Sequence, residues 1–176
     1  MRRILVAGIS GSGKTTMARR LAELLQLPRY ELDALHHGAG WQKRPEFEAD
    51  VERFAAEDAW VCEDQYQSFL GELLWERADT VVWLDLPRLV IIRRVTWRTF
   101  ARLVTRVELW NGNRERWRDL PSAGHPIRWA WEQHAERRSR TETLAARYPD
   151  VEVVRLRSVG EVREWLDSVA RLRHAG

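Results

Sequence analysis

The segment Gly8-Ile9-Ser10-Gly11-Ser12-Gly13-Lys14-Thr15 constrains this chain more than any other. It fits the pattern G-x-x-x-x-G-K-[ST] without a mismatch, and its surroundings are those the pattern requires. Upstream, Ile4-Leu5-Val6-Ala7 is a short apolar run suited to a buried parallel strand. Downstream, Met17, Leu21, Leu24 and Leu25 recur at helical spacing, with Arg19, Arg20 and Glu23 on the other face. Strand, glycine loop and helix follow one another in the order a phosphate-binding loop demands.

The residue types explain the chemistry. Glycines let the backbone curl so that successive N–H groups point inward, with no Cβ to block a phosphate. The helix N-terminus adds its partial positive charge. Lys14 is expected to neutralise the β- and γ-phosphates of ATP, and the Thr15 hydroxyl to ligate Mg2+. The expected nucleotide contacts are therefore Gly8, Ser10, Gly11 and Ser12, followed by Gly13, Lys14, Thr15 and Thr16. Lys14 is the more telling because the only other lysine is Lys43; the remaining basic residues are arginines.

A length of 176 residues fits one compact α/β domain over 1–176, and 44% hydrophobic with 31% charged residues is ordinary for a soluble globular protein. No run approaches the roughly 18 apolar residues of a membrane span. Two arginines precede the first apolar run, but that run enters the glycine loop after a few residues, so the export reading fails. The lone Cys62 suits a reducing compartment. A cytoplasmic protein, monomeric or homodimeric and without a membrane partner, is expected.

Strands are predicted at Arg29–Leu32, Trp60–Glu63, Thr80–Asp85 and Val151–Leu156, besides the first. Helices are predicted over Pro45–Asp58, around Phe69 to Leu74, from Pro87 to about Val107, from about Ile127 to Arg147 and from Val159 to Leu172. Ala34 to Gly40 reads as turn-rich. Alternating strands and helices imply a parallel sheet with right-handed crossovers, whose ligands sit at the carboxyl ends of the strands. Asp33, Glu63, Asp64 and Asp85 all fall at or just past those ends.

Gly11-Ser12-Gly13-Lys14-Thr15, then Leu32-Asp33, then Trp60-Val61 with Tyr66, then Ala78 through Pro87 together resemble a family over residues 3 to 170. It comprises small bacterial P-loop proteins described as adenylate-kinase-like or topology-modulation proteins, similar in architecture to nucleoside monophosphate kinases and shikimate kinase. The resemblance implies a three-layer αβα P-loop NTPase fold with a five-stranded parallel sheet and a helical lid insertion. It also implies an acceptor-binding segment at about 33–58 and an arginine-bearing lid at about 94–120. One departure is visible: relatives tend to read Asp-Gly-Asn-Tyr where this chain has Glu63-Asp64-Gln65-Tyr66.

Each remaining candidate carries two readings. Asp33 suits an acid that orients or deprotonates an acceptor hydroxyl, or a turn or helix cap. Asp85 suits a Walker B acid in the Mg2+ shell, or a cap for the helix entered through Pro87. Arg94, Arg98, Arg102 and Arg106 lie four apart on one helical stripe, suited to phosphate clamping or to solvent. Arg94 and Arg98 are the expected catalytic arginines, and Arg114 the expected nucleotide contact from the later segment. His36 and His37 lack a third metal ligand of suitable spacing and, on an extended chain, would point in opposite directions. Of ten tryptophans most are expected in the core, with Trp41 and Trp110 candidates for stacking on a planar substrate.

Two functions fit. The first is an ATP- and Mg2+-dependent kinase acting on a small-molecule acceptor: a nucleotide, a nucleoside or another hydroxylated metabolite. The second is a nucleic-acid-associated ATPase or DNA-topology regulator, drawing on the arginine and aromatic residues between Arg88 and Arg118. The net charge of only +3 and the lack of a recognisable nucleic-acid motif favour the first.

Overall fold

A computed structural model describes residues 1–38, 42–105 and 126–174. Five strands form one sheet in the order β2-β3-β1-β4-β5, every neighbouring pair parallel. The strands are β1 (Arg3–Gly8), β2 (Arg29–Tyr30), β3 (Trp60–Glu63), β4 (Thr80–Leu84) and β5 (Glu152–Leu156). The helices are α1 (Lys14–Leu25), α2 (Leu32–His36), α3 (Phe47–Ala55), α4 (Gln67–Leu70), α5 (Leu73–Arg77), α6 (Arg88–Thr105), α7 (Pro126–Arg147) and α8 (Val159–His174). Among the described residues, no helix is long and apolar enough to cross a membrane.

The alternation of a strand divides the core into two layers. Ile4 and Val6 of β1 face Met17, Ala18 and Leu21 of α1 and Leu166 and Val169 of α8. Leu5 and Ala7 face the opposite layer, with Phe47, Val51 and Phe54 of α3, Trp75 of α5 and Leu144 of α7. Helices on both faces of a parallel sheet make three layers, the expected α/β arrangement. Trp60 and Trp75 are fully buried, as core tryptophans should be, whereas Trp97 is 72% exposed.

The segment after β2 departs from the sequence reading. The strand is two residues long, and Leu32 and Asp33 begin a short helix instead of extending it. Leu32, Leu35 and His36 explain the difference: at i, i+3 and i+4 they share one helical face, and that face packs into the layer of Leu5, Ala7 and Phe47. The predicted helix around Phe69 to Leu74 is two helices, parted at Gly71, whose φ of +58° ends α4.

Candidate active site

β1 leads into the loop because its sheet position, between β3 and β4, puts Gly8 at the centre of the carboxyl edge. Two glycines there are required by contact as well as by conformation. At Gly8 (φ +142°) a Cβ would lie 2.7 Å from Ser12 Oγ and 3.0 Å from the Leu84 carbonyl oxygen. At Gly11 (φ +85°) it would lie 2.4 Å from Val95 Cγ2 on α6. The loop is thus pressed between β4 and α6 and held by the Ser12 amide donating to the Ile9 carbonyl at 3.1 Å. Helix α1 starts at once, its first intrahelical bond running from the Met17 amide to the Gly13 carbonyl. The amides of Lys14, Thr15 and Thr16 therefore have no partner within the helix.

Lys14 is buried at 7% exposure and lines a cavity of about 550 Å³. Gly8, Ile9 and Ser10 line the same cavity, together with Asp33 from α2, Asp64 to Ser68 after β3, and Glu136, Arg137 and Arg140 from α7. Burial lowers the Lys14 ammonium from its ordinary 10.5 to about 8, against the opposing pull of Asp64, Glu63 and Asp33 and with a further push from Arg137. Burial likewise raises the Asp64 carboxyl, opposed by a hydrogen bond from Gln67 and by the charges of Lys14 and Arg137. Glu63, beside it, is raised by burial against the charge of Arg29, whose Nη1 is 3.9 Å away. Arg137 is held by its Nη1 donating to Gln67 Oε1 at 2.7 Å.

Asp33 accepts a hydrogen bond from the Tyr66 hydroxyl at 2.6 Å. Burial first, and then that bond, push the Tyr66 hydroxyl far above its ordinary pKa. His36 and His37, expected to diverge on an extended chain, instead meet. They sit at the end of α2, their ring centroids 4.6 Å apart.

A second cavity of about 330 Å³ lies on the other flank of the loop. Ser12, Gly13 and Thr16 line it with Arg20 of α1, Arg94 of α6, and Val159, Val162 and Arg163 of α8. Arg94 donates from Nη1 to the Ser12 carbonyl at 2.9 Å. Arg94 thus braces the loop from the second cavity and does not line the first, where Lys14 and Asp33 are.

The predicted residues therefore separate into groups. Gly8, Ser10, Lys14 and Asp33 are brought together at the first cavity, and Ser12, Gly13, Thr16 and Arg94 at the second. Thr15 is exposed at the start of α1. Asp85 is paired with arginines. Its side chain is 5% exposed, and its Oδ2 accepts from Arg155 Nε at 2.9 Å and Nη2 at 2.7 Å, with Arg138 Nη2 at 3.6 Å. One oxygen of the acid after β4 is thus taken up by the neighbouring strand β5 and by α7. Arg98 lies on α6 with its side chain outside the described residues. Arg114, Trp41, Trp110 and the 106–120 part of the expected lid also lie outside them.

Tyr66, Gln67, Arg137 and Arg140 have no site role in the sequence reading, and Asp64 has only its place past a strand end. Asp64 and Tyr66 had a signal, since they directly follow a strand whose carboxyl end faces the loop. Arg137 and Arg140 had none beyond their i,i+3 spacing, which puts both on one face of α7.

No protein-family model and no curated protein matches the sequence. Solved structures do match it. The shikimate kinase from Acinetobacter baumannii in complex with shikimate superposes with a TM-score of 0.57 at 18% identity, over 99% of this chain and 94% of that one. The shikimate kinase from Bacteroides thetaiotaomicron gives 0.53 at 16% identity, over 98% of each chain. A gluconokinase from Sinorhizobium meliloti 1021 gives 0.50 at 22% identity, over 99% and 94%. With its parallel sheet and helices on both faces, the chain has the three-layer α/β P-loop fold of these kinases.

Proposed function

We propose that this chain is an ATP- and Mg2+-dependent kinase that transfers the γ-phosphoryl group to a hydroxyl of a small acceptor. The observation that carries the reading is the meeting of Lys14 and Asp33 in one cavity on the loop. A phosphate-neutralising cation and a proton-accepting carboxylate are the two groups such a transfer needs side by side. The fold shared with proteins named shikimate kinase and gluconokinase supports it.

In this reading the second cavity takes the nucleoside end of ATP, bounded by Arg94 and by Val159 and Val162. The phosphates follow the loop amides, and the γ-phosphate reaches the first cavity beside Lys14. Thr15 and Asp64 are the residues that would hold Mg2+, Asp85 being engaged by Arg155. The metal supplies charge neutralisation along the β- and γ-phosphates when bound. Asp33 takes the proton of the acceptor hydroxyl as its oxygen bonds to the γ-phosphorus. The bond from that phosphorus to the β,γ-bridging oxygen breaks, and ADP leaves. Lys14 and Arg137 offset the charge spread over the transferred group. Arg140 on the same wall favours an acceptor that also carries an anionic group.

The test follows ADP release from Mg2+-ATP with a panel of nucleoside monophosphates, nucleosides, shikimate-like acids and amino-sugars. Strong stimulation by one class, lost by a factor of about 10³ in Asp33→Asn, is the expected result. Equal release in wild type and Asp33→Asn refutes the reading. The nucleic-acid alternative draws on the exposed rings of Trp97 and Phe100 on α6, 6.3 Å apart. Release stimulated instead by DNA or RNA, with a steep salt dependence, would favour it.

A further inference from the structure

Asp33 is the end of a hydrogen-bonded chain that leads away from the cavity. The Tyr66 hydroxyl is 2.6 Å from Asp33 Oδ1 and 3.0 Å from His37 Nε2. His37 Nδ1 is 3.3 Å from His36 Nδ1. The His36 ring lies flat on Tyr66, with centroids 4.1 Å apart and planes at 15°, and edge-on to Phe47 at 4.9 Å. His36 is 8% exposed, and its Nε2 has no hydrogen-bond partner.

With Asp33 ionised and both rings neutral, these contacts assign the hydrogens. An ionised carboxylate can only accept, so Tyr66 spends its one proton on Asp33. Tyr66 can then only accept from His37, which puts a hydrogen on His37 Nε2. A neutral imidazole has one N–H, so His37 Nδ1 is a lone pair and His36 Nδ1 must be the donor. What remains is a lone pair at His36 Nε2, the buried atom without a partner. A buried N–H left unpaired is the rarer and costlier defect, so the chain closes with all three of its donors used.

Two further features favour this arrangement. Burial lowers the His36 pKa, with His37 and Lys43 adding to the effect and Asp33 and Glu48 opposing it. The neutral form that the chain requires is therefore the favoured one. Tyr66 itself sits in the left-handed region, at φ +57° and ψ +32°, which few bulky residues adopt. Its stack and its hydrogen bonds hold it there.

We propose that Tyr66, His37 and His36 are positioning residues that fix Asp33 through one carboxylate oxygen and leave the other for the acceptor hydroxyl. The proposal rests on the reading of Asp33 as the group that takes the acceptor's proton. Tyr66→Phe keeps the ring on His36 and removes only the hydroxyl. It lowers kcat by about tenfold, with the KM for the acceptor within twofold of wild type.

The deciding experiment is ¹⁵N NMR of histidine-labelled full-length protein at pH 7.5, paired with turnover. The expected spectrum has His36 as the Nδ1–H tautomer and His37 as the Nε2–H tautomer. In Tyr66→Phe the His37 ring nitrogens should move toward the averaged values of an unconstrained imidazole. His37→Gln, whose amide can still donate to Tyr66, should recover most of the kcat that His37→Leu loses, which keeps the test decisive should Tyr66→Phe fold poorly. His36 found as Nε2–H, or His37 signals and kcat both unmoved in Tyr66→Phe, would overturn the chain. A wild-type rate in Asp33→Asn with the tautomers as assigned would overturn the role of Asp33, and with it the positioning, while leaving the hydrogen bonds standing.

Discussion

In the proposed kinase, Lys14 sets phosphate binding against the stability of the fold. Its ammonium is buried, and its pKa falls from 10.5 to about 8, which at about 1.4 kcal/mol per pH unit makes the buried charge a burden of about 3 kcal/mol at pH 7. The sign follows from proton counting. Between pH 8 and 10.5 the unfolded chain holds a proton that the folded chain does not, so the wild type gains stability as pH rises through that window. Below pH 8 both states are protonated and the burden is complete. Lys14→Met keeps the volume and removes the charge. The attraction to Asp64 is already contained in that pKa, so after a small packing loss the net gain is about 2–3 kcal/mol at pH 7. Urea unfolding of both proteins at pH 7 and pH 9.5 measures it. The variant should be the more stable at pH 7, by a gap that narrows by about 2 kcal/mol at pH 9.5, inactive at both, and no longer stabilised by Mg2+-ATP. A variant less stable at pH 7, or a gap that ignores pH, would refute the argument.

Asp85→Asn should cost about 2 kcal/mol in urea unfolding, because Arg155 loses the charge it is paired with in a mostly buried setting. The Mg2+ concentration needed for half-maximal ADP release should not move; a moved requirement with unchanged stability would return Asp85 to the metal. Gly11→Ala should lower Tm by about 4–10 °C, since it combines a positive φ with a contact on Val95 that α6 must yield to. Gly13→Ala, whose added Cβ meets nothing closer than Arg94 Nη1 at 3.6 Å, should lower it by less.

The loop was legible in the sequence because its backbone dictates residue types. Gly8 and Gly11 are demanded by contacts of 2.7 and 2.4 Å, and the helix that follows announces itself at Met17 and Leu21. Strands β1, β3 and β4 were legible as apolar runs, since the centre of a parallel sheet buries both faces, and the edge strand β5 by its valines. The segment after β2 was not. Two strand residues and five helical ones carry too little periodicity to separate, and Leu32, Leu35 and His36 mean something only against Phe47. Asp85 shows a different limit. Position after a strand tells which end of the sheet an acid occupies, but not which neighbour reaches it. Arg155, from a strand that arrives 70 residues later, decides that. Arg137 and Arg140 fail for the same reason, because nothing within α7 says which of its faces meets the loop.

Several features that strain the protein as it stands gather on the loop. Lys14 is a buried cation, Ser12 Oγ is buried without a partner, and the first amides of α1 have none within the helix. Gly8 and Gly11 hold conformations that other residues rarely adopt. Core residues on β1, one turn away from the loop, show no such defect: Ile4, Leu5 and Val6 are fully buried and apolar. An anion with several oxygens answers the polar needs together, by pairing Lys14 and accepting from the amides and from Ser12. A chain selected only to fold would have relieved these positions one at a time, as Lys14→Met does. That they persist at one place is the physical argument that the loop is built around a phosphate.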